Sequence, residues 1–156
     1  MARKWMFIVG CLAFVGCVLP AASIAAPVTC NDPVKTCDVA IVNPTCATGT
    51  CTASVNVDPV HFERGKNNIK AVWTLPNGFG FCPQASDGVF LKKDDSNDQF
   101  DQQGAEGPSG SGRCNKKKFH MRAKNTKSQS THPYKIVFHN DAGTQEYLVD
   151  PTMVND

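Results

Sequence analysis

Residues 113–124 read RCNKKKFHMRAK and place Cys114, His120 and Met121 inside a dense run of lysine and arginine. Thiolate, imidazole and thioether are the ligand types of a blue-copper centre, while clustered cations are a means of gripping an anion. The two chemistries ask different things of the backbone. A copper ligand set must converge on one point, whereas an anion-binding face needs its cations spread along one side of an element. In a strand, Phe119, Met121 and Ala123 share one face and Lys118, His120, Arg122 and Lys124 share the other. His120 and Met121 then point apart, and Met121 joins the apolar phase. The basic reading survives: eight Lys and Arg residues lie from Arg113 to Lys135, with no Asp or Glu among them.

Other chemistries find less support. Asp94, Asp95, Asp98 and Asp101 cluster in DDSNDQFD, but Gln99 and Phe100 stand where a hand-type calcium loop needs Asp or Asn and then a glycine. No nucleophile elbow, zinc-protease helix motif, phosphate loop or dinucleotide fingerprint occurs. His61, His120, His132 and His139 read as exposed or structural, because a catalytic histidine must be locked between a nucleophile and an acid. The expectation is no catalytic residue, no bound metal and no cofactor.

Compartment is easier to read. Arg3 and Lys4 precede an apolar run from Trp5 to Leu19 and the small-residue stretch AASIAAP, the layout of a secretory signal peptide over residues 1–25 with cleavage after Ala25. An uncleaved anchor and lipidation at Cys17 are the alternatives, and all three send the rest of the chain out of the cytoplasm. Removing Arg3 and Lys4 from 16 basic residues leaves 14 against 14 acidic ones, so bulk attraction to nucleic acid or membrane is not expected. Cys30, Cys37, Cys46, Cys51, Cys82 and Cys114 remain, an even number that implies three disulfides in an exported protein, periplasmic or extracellular. Four cysteines allow three connectivities; the turn residues inside each bracket favour Cys30 with Cys37 and Cys46 with Cys51. Cys82 with Cys114 would close a loop of about 32 residues, a constraint of roughly 3–4 kcal/mol in the chain-entropy model.

The elements that must position these groups read as strands. Residues 26–53 form a short Cys-rich segment held by disulfides, poor in large apolar residues. Residues 54–156 carry alternating runs between turn signals. Ile69, Ala71, Trp73 and Leu75 share one face of NNIKAVWTLP; Tyr134, Ile136 and Phe138 share one face of PYKIVFHN. SVNVDPVHF and TQEYLVDPTMV are each broken at Asp-Pro, where a strand can kink and change partner. Residues 94–115 are almost free of apolar side chains and read as a mobile loop.

The runs IKAVWTL, DGVFL and PYKIVF and the ending YLVDPTMVND resemble small exported bacterial proteins with an immunoglobulin-like domain, a group with no established activity. The resemblance implies an all-β fold: an antiparallel immunoglobulin-like β-sandwich of six to seven strands over 54–156. It also implies that the basic strand neighbours NNIKAVWTLP, which adds Lys70 to the face of Lys118, His120, Arg122 and Lys124. The expected function is a non-catalytic exported binding module engaging an anionic envelope polymer or an acidic protein through that face. Nucleic acid is a poor partner, because the face lacks aromatics for base stacking. The alternative is a structural or protein-inhibiting role through the disulfide-tied loops, with Phe79 and Phe81 exposed between glycines. A cupredoxin-like metal protein or an enzyme comes third.

Overall fold

The computed structural model describes residues 26–30, 36–63, 68–83, 86–92, 100–106, 113–124 and 130–155. The expected signal segment and Asp94, Asp95 and Asp98 lie outside them. The described chain is all β: β1 (Ala26–Cys30), β2 (Thr36–Ala47), β3 (Thr50–Val55), β4 (Val57–Phe62), β5 (Ile69–Thr74), β6 (Phe79–Gly80), β7 (Gly88–Leu91), β8 (Phe100–Glu106), β9 (Lys118–Ala123), β10 (Ser130–Asn140), β11 (Glu146–Val149) and β12 (Thr152–Asn155). No helix among these residues is long and apolar enough to cross a membrane.

The strands join in one mixed sheet, ordered β1-β4-β12-β10-β11-β3-β2-β5-β9-β8, with β6 and β7 also on β10. The expectation of six to seven antiparallel strands over 54–156 is therefore corrected: among the described residues there are twelve strands, nine of them (β4–β12) wholly within 54–156, and β1–β4, β2–β5, β3–β11 and β4–β12 pair in parallel. The cause is partner exchange along two long strands. β2 gives Thr36–Ala40 to β5 and its later residues, from Ile41 on, to β3. At that changeover Asn56 acts as a neighbour: its N–H donates to the Ala40 carbonyl (2.9 Å), and its Oδ1 accepts from the Ala40 N–H (2.8 Å). β10 pairs with β12 through Ser130–Pro133 and with β11 through Ile136–His139. Both pairings keep one antiparallel register, and the Tyr134 N–H donates to the Pro151 carbonyl across the break at Asp150-Pro151. β11 and β12 are thus one strand interrupted where proline removes a donor.

The Cys-rich segment is woven into this sheet. Its alternation puts Cys37, Val39 and Ile41 in the core, so it contributes buried surface as well as cross-links. The supposed loop 94–115 contains β8, which pairs antiparallel with β9 after a register shift between Asp101 and Gly104. The single large apolar side chain of β8, Phe100, anchors it by packing edge-on against Phe62 of β4 and His132 of β10, with ring centroids 5.6 and 5.3 Å away.

Strands far apart along the path meet in the core. Trp73 on β5 and Tyr134 on β10 are both fully buried, with ring centroids 5.5 Å apart, and the indole N–H donates to the Tyr134 hydroxyl at 3.2 Å. Burial pushes the Tyr134 hydroxyl well above the ordinary tyrosine range; the Trp73 hydrogen bond opposes that shift. Gly80 marks a close backbone crossing, because a Cβ there would collide with the Cys114 carbonyl.

Tyr134→Phe keeps the ring and strands the buried Trp73 N–H. It should lower unfolding free energy by about 1–3 kcal/mol, read from urea midpoints at neutral pH; unchanged stability would mean that the indole has another acceptor. Because its folded pKa is raised, Tyr134 contributes stability that is whole below about pH 10 and lost as pH rises further. That alkaline loss should be smaller in the variant.

Candidate functional site

β9 lies between β5 and β8. Lys70, Val72 and Thr74 sit opposite Arg122, His120 and Lys118 on one side, and Asp101, Gly104 and Glu106 sit opposite the same three on the other. Phe119, Met121 and Ala123 are buried. Lys70, Lys118, His120, Arg122 and Lys124 therefore do share the outer face of one continuous sheet.

The sequence leaves open that the acidic stretch 94–106 folds back on this face and neutralises it, and Asp101 and Glu106 of β8 do lie against it. Lys70 Nζ donates to both oxygens of Glu106, at 3.0 and 3.1 Å. Glu106 Oε1 also lies 2.9 Å from His120 Nδ1, a close ionic approach at an angle that makes no hydrogen bond. Lys124 Nζ is 3.7 Å from Asp101 Oδ2. The Lys70 hydrogen bond, with the charges of His120, Lys70 and Lys118, holds the Glu106 carboxyl below its ordinary value against a smaller opposing effect of burial. Asp38 adds a third carboxylate on β2, in register with Val72 and on the side away from the buried Cys37 and Val39. Lys118 and Arg122 have no carboxylate at ion-pair distance among the described residues. The face is thus a charge mosaic rather than a uniform cationic patch.

The three disulfides are Cys30–Cys37, Cys46–Cys51 and Cys82–Cys114. Cys114 in a disulfide, His120 outside and Met121 in the core leave no blue-copper set. The expected exposed aromatics are also corrected. Phe81 is only 1% exposed and packs on Phe119, with centroids 5.6 Å apart. Phe79 is half-buried and meets the Tyr147 ring edge-on at 5.1 Å. Gly80, between the two rings, lets the backbone pass close to Cys114.

A second constellation was missed. Beside Cys82–Cys114, the Asp87 side chain is 1% exposed; its Oδ2 accepts from the Cys82 N–H at 2.8 Å and lies 2.9 Å from His139 Nδ1. Asp87 Oδ1 is buried with no hydrogen-bond partner. His139 Nε2 is 3.9 Å from Glu146 Oε2, and Glu146 lines a cleft of about 560 Å³ between the Cys46–Cys51 hairpin tip and Thr144–Glu146. One ligand atom each of Cys82, Cys114 and His139 falls within 4.8 Å of the others. Asp87 and His139 stand 52 positions apart, and no local motif links them.

Glu106→Gln removes the carboxylate that engages Lys70 and His120. Because the pair is largely solvent-exposed, the loss at neutral pH should be within about 1 kcal/mol. A depressed folded pKa contributes stability that is present above the unfolded value of about 4.3 and lost as pH falls through the folded value. Urea titrations across that acid range should show a shallower decline for the variant; identical acid limbs would remove Glu106 from the account. Against protein-family models and curated proteins the chain finds no match.

Proposed function

We propose that the protein is an exported, non-catalytic binding module with an immunoglobulin-like β-sandwich as its fold class, engaging an acidic protein through the outer face of β8, β9, β5 and β2. The sheet's return on itself around Trp73 and Tyr134 supports the sandwich reading. Three disulfides and a neutral mature charge are compatible with export.

The observation that carries the binding reading is the position of Lys118 and Arg122. Among the described residues they stand without a carboxylate at ion-pair distance, on a face whose other lysines are engaged by Glu106 and Asp101. A partner carboxylate meeting either residue gains an ion pair without first breaking one. Asp38, Asp101 and Glu106 on the same face would repel a uniform polyanion such as an anionic envelope polymer. A protein surface carrying acidic groups spaced among others fits the mosaic better, since charge arrangement governs partner choice and on-rate more than raw affinity.

The two signs of charge give opposing tests. Immobilised wild-type protein should retain acidic proteins from an envelope extract at low salt and release them at about 1 M salt, where screening extends only about 3 Å. Lys118→Gln with Arg122→Gln should slow association about tenfold, and Glu106→Gln should strengthen retention. Capture that is the same for all three proteins would overturn the assignment of this face.

A further inference from the structure

We propose that the Cys82–Cys114 disulfide is a redox lock on a zinc site: reduction frees two thiols that, with His139, bind one Zn(II), while Asp87 orients the histidine. The site is assembled from distant parts of the chain. Cys82 follows β6, Cys114 precedes β9, and His139 lies near the end of β10. Their three ligand atoms fall within 4.8 Å of one another, and both cysteines are buried. Two sulfurs and an imidazole nitrogen are the donors that tetrahedral zinc prefers. The disulfide form offers no thiolate, so the oxidised protein cannot assemble this set.

Asp87 supplies the independent observation. Its Oδ2 holds His139 Nδ1 at 2.9 Å, which fixes the ring and reserves Nε2 for a ligand. A carboxylate on the far nitrogen of a metal-bound histidine is the usual supporting contact. The other oxygen, Oδ1, is buried and has no hydrogen-bond partner. A buried carboxylate with one oxygen on the imidazole and the other without a hydrogen-bond partner is a group that a cation held by that imidazole would stabilise. Glu146, exposed and 3.9 Å from His139 Nε2, faces the same nitrogen from the solvent side.

The chemistry balances with a dithiol as reductant. The dithiol is oxidised to its own disulfide, the Cys82–Cys114 bond breaks, and two protons pass to the two sulfurs. Zinc binding then displaces those two protons. The oxidised exported chain is the empty form, and the reduced chain is the loaded one.

The test compares mature protein in oxidised form and after anaerobic reduction, with bound zinc measured by chelator competition and cobalt(II) as a spectroscopic substitute. The expected result is one zinc per chain after reduction and none before, with thiolate-to-cobalt charge-transfer absorption. Reduction also frees Cys30, Cys37, Cys46 and Cys51, so His139→Ala is the decisive variant. It keeps every thiol and should weaken zinc binding at least tenfold. Asp87→Asn should weaken it about 10- to 100-fold. Zinc uptake that survives in a Cys82→Ser, Cys114→Ser double variant, or that is indifferent to His139→Ala, would overturn the proposal. A reduced protein whose near-ultraviolet Trp73 signal is lost and is not restored by zinc would overturn it as well.

Discussion

The buried edge-on contact of Trp73 with Tyr134 is where two distant stretches of a single sheet are pressed together. β5 and β10 share no backbone ladder, yet each is the spine of its own region. β5 pairs with β2 and β9 and so fixes the charged outer face. β10 pairs with β6, β7, β11 and β12 and carries His139 near its end. An indole N–H buried without an acceptor would cost about 1–3 kcal/mol, so the hydrogen bond to Tyr134 restricts which strand can lie across β5. The phase of β10 follows from it. With Tyr134 inward, Ile136 and Phe138 also point inward, and His139 falls on the opposite phase, where Asp87 meets it.

Charge on the outer face obeys a similar economy. Four cations on one strand region would repel one another across an exposed sheet, and like charges directly opposite destabilise it. β8 answers this at the edge. Its backbone continues the ladder, and Asp101 and Glu106 fall beside Lys124 and Lys70. The register shift between Asp101 and Gly104 matters here, because side chains alternate and a one-residue slip would turn a carboxylate to the other face.

What the sequence made legible follows these constraints. Strand phase in IKAVWTL, KFHMRA and PYKIVF was readable because a buried face demands alternation, and it separated Met121 from His120 correctly. The interruption at Asp150-Pro151 was readable because proline removes a ladder donor, whereas the expected kink at Asp58-Pro59 is not where the chain breaks: that pair lies inside β4, and β3 ends before Asn56. β8 was not readable. Its sequence, FDQQGAE, has one large apolar residue, and its strand character comes from β9 supplying the ladder and from Phe62 and His132 receiving Phe100. The parallel β2–β5 pairing was hidden for a related reason: it depends on β2 changing partners at Ala40, where the contact that marks the changeover comes from Asn56, sixteen positions away. The Asp87–His139 contact left no trace in local spacing at all.

The three disulfides differ in what their loss would do. In the chain-entropy model the short loops of Cys30–Cys37 and Cys46–Cys51, with sequence separations of 7 and 5, each constrain the unfolded chain by about 2 kcal/mol. Cys82–Cys114, with a separation of 32, constrains it by about 3–4 kcal/mol and joins segments of the chain that have no local reason to meet. Opening it therefore removes the largest of the three restraints. An ion bound by the same two sulfurs would restore a cross-link between the same two positions and would add a third attachment at His139. A metal in this place offsets the stability that reduction removes, which neither of the local disulfides could arrange, because no histidine or buried carboxylate among the described residues is assembled with them.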